Sequence, residues 1–187
     1  MQAVRKAARI VLLKLAIAIS LVLSACTQPA PERSFTTMDL LIDPSDVSAS
    51  WQLLFASTSK DHIGSGSHIA FLTTDSQEAR ADQYVYCYDS IPRAKSRYKK
   101  FFLDPVGGTP PEWEYQSLVA DQFSFACYKT QGREHCEWAG RYDEYIVTFG
   151  VWLIPDRVSL EDVEQVVRAI DERMAQYLDI PSQNAGN

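Results

Sequence analysis

Apolar residues that alternate with polar ones predict β-strands along much of the chain. Two apolar runs, at residues 51–55 and 68–73, have strand length. Residues 81–88 place three tyrosines on one face, because successive side chains of a strand point to opposite sides. Such a face could stack a ligand, but aromatic residues favour strands in any case, so we expect it to pack under a helix. The tyrosines are Tyr84, Tyr86 and Tyr88.

A β-hairpin is the best-defined unit of the second half. Residues 119–128 alternate, and Gln131-Gly132 follows as a two-residue turn in which glycine accepts the positive φ of a type I′ hairpin. Folding there places Cys127 opposite Cys136 at a non-hydrogen-bonded position, where paired side chains approach most closely. The register therefore predicts a Cys127–Cys136 disulfide.

Residues 145–153 form a strand that is apolar on both faces, which predicts a position inside the sheet. A long helix should follow, since Ser159 and Asp162 form a variant of the capping box. Ile180-Pro181 should end it. Its apolar stripe, wide enough to cover a sheet face, consists of Leu160, Val163, Val166, Val167, Ile170, Met174 and Leu178.

A shorter helix is predicted to begin at Ser90 and Pro92 and to run towards Leu103. Its apolar side consists of Ile91, Ala94, Tyr98 and Phe101. Its basic side consists of Arg93, Lys95, Arg97, Lys99 and Lys100. Two functions fit the basic side: docking on anionic lipid headgroups, or docking on an acidic protein partner. The third interpretation is a solvated face of an amphipathic helix.

The order of strands, helix, strands and closing helix predicts a single α+β domain over residues 38–180. We expect an antiparallel sheet packed by the long C-terminal helix and the shorter basic helix, with residues 181–187 as a disordered tail. This layout resembles the ligand- or partner-binding domains of the photosystem subunit PsbP and the extracellular sensor domain of a mycobacterial kinase. The resemblance concerns layout, so no activity or site residue is taken from it.

The first 25 residues have the pattern of a signal peptide. Four basic side chains accompany an apolar or small segment at residues 15–25, which is too short to span a bilayer. The closing Leu23-Ser24-Ala25-Cys26 resembles the lipobox of bacterial lipoproteins. That resemblance implies cleavage before Cys26, a diacylglycerol thioether-linked to its thiol and an acylated amino group. The alternatives are an ordinary secretory signal with a chance cysteine and a permanent transmembrane helix.

A lipid on Cys26 would hold the protein in the cell envelope, on a periplasmic or extracellular face. Thr27 stands where an Asp would resemble an inner-membrane retention signal, so the outer membrane is expected if the source has one. Residues 26–37 contain two prolines among polar residues and predict a tether. Lipidation leaves three cysteines for the domain, and the hairpin register then predicts Cys87 as a buried free thiol.

Charge excludes one class of partner. Without residues 1–25, 14 Lys and Arg face 24 Asp and Glu, a formal charge of −10. Nucleic-acid binding depends on neutralising phosphates with basic side chains, so we expect no nucleic-acid partner.

The motifs that could indicate catalysis, phosphate binding or metal binding are weak. The segment Gly64-Ser65-Gly66-Ser67-His68 fits neither a phosphate-binding loop nor a nucleophile elbow, and predicts a flexible hairpin loop. The histidines are scattered without metal-ligand spacing, so we predict no metal and no cofactor; they are His62, His68 and His135.

Two classes of function remain. The first is a lipid-anchored, non-catalytic binding or accessory module, because no convergent catalytic set emerges. The second is an envelope hydrolase that uses carboxylates such as Asp143 and Glu144. Adjacent strand residues point to opposite faces, so these two should not face each other without a bulge. A concave pocket with two carboxylates of shifted pKa would favour the hydrolase, and a flat aromatic or basic face would favour the module.

Overall fold

The computed structural model describes residues 29–43, 47, 51–73 and 76–179, without the side chains of residues 73 and 76–79. The predicted signal peptide, Cys26 and the 181–187 tail lie outside the described residues, so they stay predictions.

Six strands form one antiparallel sheet in the order β1-β2-β3-β6-β5-β4. Two meanders, β1-β2-β3 and β4-β5-β6, join where β3 pairs with β6. The predicted α+β fold is confirmed, and the doubly apolar strand β6 lies inside the sheet as expected. The elements are β1 (Trp51–Lys60), β2 (Ser65–Thr73), β3 (Ser76–Cys87), α1 (Ile91–Phe101), β4 (Gln122–Thr130), β5 (Arg133–Tyr142), β6 (Tyr145–Leu153) and α2 (Leu160–Leu178).

Helix α2 covers one face of the sheet and forms the larger core. The predicted capping box is present, with the Ser159 side chain bonded to the Asp162 amide and the Asp162 carboxylate to the Ser159 amide. The apolar stripe of α2 is buried, apart from the half-buried Leu160 at its start. The stripe therefore covers the sheet, and the capping box sets where the helix begins.

Helix α1 packs on the opposite face over a smaller core. Ala94 and Tyr98 are buried against Tyr86 and Tyr88 of β3. The Tyr98 hydroxyl donates to the carbonyl of Ala139, 3.2 Å away. Tyr86 and Tyr88 of the tyrosine face thus pack under a helix as predicted, whereas Tyr84 is half-buried; α1 ends at Phe101 and not at Leu103. Among the helices of the described ranges, none is long and apolar enough to cross a bilayer.

The β4-β5 hairpin has the predicted register and disulfide. Cys127 is opposite Cys136, and the two form a disulfide with their Cα atoms 4.1 Å apart. The backbone N–H and C=O of Cys127 bond instead to Gly108, on the outer side of β4. This arrangement is what a non-hydrogen-bonded pair requires.

The predicted loop at residues 64–68 is wrong, because strand β2 already begins at Ser65. A Cβ on Gly66 would lie 1.7 Å from the carbonyl oxygen of Val85 on β3. Glycine is required there by close approach of two strands, not by a flexible turn. Strand β1 likewise continues to Lys60, beyond the predicted end at residue 55.

Two burial predictions are also wrong. Cys87 is a free cysteine but is exposed, because it is the last residue of β3 at the end of the sheet. Ile91 is 37% exposed, because it opens α1 before the helix reaches the sheet.

The described part of the predicted tether contacts the domain. The amide of Ala30 donates to the carbonyl of Asp89, 2.9 Å away. Phe35 packs edge-on against Tyr177, with ring centroids 5.2 Å apart. Arg33 reaches the β5-β6 turn. The chain therefore joins the fold by residue 30, beside the start of α1.

Candidate functional site

A groove of about 500 Å³ opens on the α1 face of the sheet, where α1 stops short of covering strands β3, β6 and β5. Its floor is sheet and its walls come from the end of α1 and the loop after it. Carboxylates and aromatic rings dominate the lining. The lining includes Asp61, Asp82, Tyr84, Tyr86, Phe101, Phe102, Asp104, His135, Glu137, Thr148 and Gly150.

The register of strands β3, β6 and β5 creates the open space of the groove. Asp82 and Glu137 both pair with Gly150, which lies between them in one row across the sheet. In the next row, Tyr84 pairs with Thr148. Gly150 and Thr148 are small, so the middle of the floor is low while larger side chains rise on either side. A Cβ on Gly150 would lie 3.3 Å from the His135 ring, so glycine leaves room for that ring.

Asp82 belongs to a paired charge cluster at one side of the groove. Its carboxylate lies 2.8 Å from Nε2 of His68 and 2.7 Å from a guanidinium nitrogen of Arg80. Tyr84 stacks on the His68 ring with centroids 4.0 Å apart and planes nearly parallel. The buried His68 therefore holds both a carboxylate and a tyrosine ring in place.

Asp61 reaches the groove from the β1-β2 turn. Its carboxylate accepts the amides of Ile63 and Gly64, at 2.7 and 3.1 Å, and the hydroxyl of Tyr86 at 2.6 Å. Burial opposes ionisation, but these three hydrogen bonds together lower the pKa of Asp61. Burial and the same contact raise the pKa of Tyr86 well above its usual value. Asp61 is thus a carboxylate that the fold keeps ionised.

Glu137 is the second ionised carboxylate, on the far side of the floor. It lies 3.4 Å from Nδ1 of His135 and accepts the Tyr128 hydroxyl at 3.2 Å. The His135 contact is the main cause of a lowered pKa for Glu137, and partial burial opposes it. The Glu137 side chain remains 52% exposed, so it is accessible to a ligand in the groove.

The predicted basic docking surface divides into two flanks of α1. At roughly 100° per residue, Lys95 and Lys99 lie on one flank, and the other three project on the opposite flank. Arg93 forms an ion pair with Asp89. The Nζ of Lys100 and the guanidinium of Arg97 lie over the Phe101 ring, 5.1 and 5.8 Å from its centroid. The five residues are therefore not one continuous basic face.

Asp143 and Glu144 are not strand residues. They form the two-residue turn between β5 and β6, where Asp143 has a φ of 50°. This turn directs both carboxylates to Arg33, which lies 3.2 Å from Asp143 and 2.8 Å from Glu144. The expectation that the two carboxylates point to opposite faces assumed a strand, and that assumption is wrong, because they lie in a turn.

The histidines lie in three separate settings. His62 packs edge-on against Phe101, His68 contacts Asp82 at 2.8 Å, and His135 lies 3.4 Å from Glu137. Within the described ranges, no three His, Cys, Asp or Glu side chains are close enough to hold a metal ion.

Sequence reasoning missed the groove itself. Alternation did place Tyr84 and Tyr86 on one face of β3. It did not show that α1 would leave part of that face open. Glycine at position 150 of an otherwise apolar strand was the available signal, because it weakens a strand unless space is needed.

Comparisons with known proteins show a coarse likeness of layout. No family model and no curated protein matches the sequence. The extracellular domain of PknH from Mycobacterium tuberculosis has a TM-score of 0.40 and 14% identity, over 79% of this chain and 98% of that one. A Bacteroides thetaiotaomicron protein has a TM-score of 0.31 and 13% identity, over 68% of this chain and 45% of that one. These values describe arrangement alone and bear on no residue of the groove.

Proposed function

We propose that this chain is a lipid-anchored cell-envelope protein whose domain binds a ligand in the groove without chemistry of its own. The observation that carries the proposal is the state of the groove carboxylates. Hydrogen bonds lower the pKa of both Asp61 and Glu137. A general acid at neutral pH needs the opposite shift. Two stably ionised carboxylates beside aromatic rings suit recognition.

A nucleophilic site finds no support either. Ser124 and His135 both line the groove, but Ser124 pairs with Ala139 on β5. Ala139 is four residues from His135, so the two side chains lie about 13 Å apart along the sheet. A serine nucleophile must reach its histidine by a hydrogen bond.

The carboxylates considered for a hydrolase are already engaged. Glu144 is buried and receives two hydrogen bonds from Arg33. Asp143 receives a third from the same guanidinium. This arrangement fixes the N-terminal segment to the domain and offers no position for a substrate.

Fragment binding tests the groove. NMR spectra of the mature protein, titrated with a library of small aromatic and aliphatic fragments, should show shifts concentrated on β3, β5 and β6. Thr148→Trp would fill the low part of the floor and should abolish those shifts. Shifts scattered over both faces, or unchanged in Thr148→Trp, would contradict a binding role for the groove.

The anchor would also set the orientation of the domain. Ala30 bonds to Asp89 immediately before α1. The four residue steps from Cys26 to Ala30 span at most about 14 Å. A lipid on Cys26 would therefore hold the start of α1 close to the bilayer.

Fractionation tests the anchor. Wild-type protein should remain in the membrane pellet after high-salt washing, because acyl chains and not charge hold it there. Cys26→Ala should be unprocessed or should move to the soluble fraction. Equal membrane retention of both proteins would contradict a lipid anchor at Cys26.

We infer further that the flank of Arg93, Arg97 and Lys100 adjoins anionic headgroups. Each basic residue near such a surface contributes about 1 kcal/mol. The soluble domain, expressed without residues 1–26, should bind anionic vesicles more weakly when these three are changed to Glu. Lys95→Glu with Lys99→Glu is the matched control on the other flank. Equal losses from both flanks, or none from either, would contradict this orientation.

A further inference from the structure

We propose that the groove takes an organic cation, a primary amine or guanidinium carried on an apolar body. The assignment rests on the proposed function, because it names the ligand class of the same groove. It joins two features of the lining: the carboxylates of Asp61 and Glu137, for which no described Lys or Arg forms an ion pair, and aromatic rings stacked beside them.

The charge of the lining is negative after internal pairing. Of the four carboxylates that line the groove, Asp82 is paired with the Arg80 guanidinium. Asp61 is bonded by two amides and a tyrosine hydroxyl, all neutral donors. Glu137 has a tyrosine hydroxyl and His135, and no Lys or Arg among the described residues forms an ion pair with it. Asp104 is exposed at the rim.

These hydrogen bonds organise the carboxylates without cancelling their charge. Placing like charges along one cleft focuses a negative potential inside it and favours cationic ligands. An anionic ligand would need to overcome this potential, since the unpaired carboxylates project from two sides of the groove.

The aromatic walls select a particular kind of cation. Tyr84 and Tyr86 stack in parallel with centroids 6.0 Å apart, and Phe102 also lines the groove. Aromatic faces attract ammonium and guanidinium groups. The chain already uses this interaction at Phe101, which Lys100 and Arg97 cover from the rim. The ligand cation is therefore assigned to the space between Tyr84 and Phe102, away from Phe101.

Size separates an organic cation from a simple ion. A space of about 500 Å³ lies in the range of small-molecule sites and far exceeds one ammonium group. The rest of the ligand would cover the apolar part of the floor. A basic side chain of a peptide and a free aromatic or aliphatic amine share this chemistry.

Three probes of matched shape test the class: benzylamine, benzyl alcohol and benzoate. Each is titrated into the mature, lipid-anchored protein in nanodiscs while NMR signals of groove residues are followed. Benzylamine should bind at least about tenfold more tightly than the alcohol, since charge pairing and cation–π contact both favour the cation. Benzoate should be the weakest, and benzylamine affinity should fall as salt increases.

Charge variants locate the effect. Glu137→Gln keeps the shape of the side chain and should weaken benzylamine about fivefold or more while leaving benzyl alcohol unchanged. Asp61→Asn should act in the same direction. Glu164→Gln is the control, because Glu164 lies on α2 at the opposite face. The melting temperature of each variant identifies any that fails to fold, and the near-isosteric Glu137→Gln remains decisive if Asp61→Asn does.

The outcomes separate the two proposals. If benzyl alcohol or benzoate shifts the groove signals at concentrations equal to or below those of benzylamine, the cation class is wrong and the binding groove stands. If all three leave the groove signals unchanged at millimolar concentration, the assignment is overturned and the binding groove loses support with it. Retention of full benzylamine affinity in Glu137→Gln and Asp61→Asn would also overturn the assignment.

Discussion

Replacing Arg33 with alanine should lower the free energy of unfolding of the domain strongly, although Arg33 lies outside the helices and strands. The Arg33 side chain is 21% exposed, and the carboxylate it holds, Glu144, is 1% exposed. Removing one partner of a buried pair leaves an uncompensated charge and costs about 3–5 kcal/mol. Partial exposure of Arg33 places the expected loss near the lower end, about 3 kcal/mol. For a domain of this size, that lowers the melting temperature by roughly 6–12 °C.

A second carboxylate that contacts the same guanidinium provides the control. Asp143 also contacts Arg33, but its side chain is 42% exposed. Exposed ion pairs contribute about 0–1 kcal/mol, so Asp143→Asn should be close to neutral. Glu144→Gln should cost less than Arg33→Ala, because Arg33 can still pair with Asp143. The double variant Arg33→Ala with Glu144→Gln should lose less than the sum of the two single variants.

Urea denaturation at neutral pH measures the free energy of unfolding of the wild type and of these four variants. Hydrogen exchange should show in addition that Arg33→Ala releases residues 34–37 from the domain, since Phe35 depends on the same docked segment. A loss below about 0.5 kcal/mol for Arg33→Ala, together with unchanged exchange at Phe35, would show that the Arg33–Glu144 ion pair does not hold this segment on the domain. The N-terminal segment would then be an unattached tether, as the sequence alone suggested.

Three further perturbations have defined outcomes. Gly66→Ala should destabilise the domain by about 3 kcal/mol in thermal melts, because the new Cβ would clash with backbone atoms that cannot move aside. Gly108→Ala is the control and should be near neutral, because no atom lies within 4 Å of its Cβ. The double variant Cys127→Ser with Cys136→Ser should lower the free energy of unfolding by up to roughly 2.5 kcal/mol, because the unfolded chain gains loop entropy without the disulfide. Equal urea midpoints of the wild type with and without reductant would contradict this. Asp61 has a lowered pKa in the folded state, so its contribution is complete at neutral pH and is lost as the pH falls below about 4. Asp61→Asn should flatten the stability profile there, and an unchanged acid limb would count against it.

Local rules predicted much of this fold because they act over a few residues. A two-residue turn containing Gly132 set the hairpin register, and the register brought Cys127 and Cys136 together. The capping pair Ser159 and Asp162 placed the start of α2. Each of these signals lies within ten residues of what it determines.

The errors arise where distant segments meet. Gly66 resembles a loop glycine until β3 lies against it, with the Val85 carbonyl at contact distance. Arg33 has no local reason to be structural, and its partner Glu144 follows 111 residues later. The groove depends on where α1 ends over the sheet, a tertiary property that periodicity does not carry. Long-range pairing of this kind is set by the whole core.

Carboxyl footprinting of the anchored protein in its native membranes tests most directly whether the open sheet face is the binding surface. Glu137 and Asp104 line the groove, and Glu161 and Glu172 are exposed on α2 at the opposite face. Labelling in membranes is compared with labelling of the purified protein in nanodiscs. If the groove is the binding surface, Glu137 and Asp104 should be protected in the native envelope, while Glu161 and Glu172 react equally in both. Equal reactivity of all four, or protection confined to Glu161 and Glu172, would contradict it.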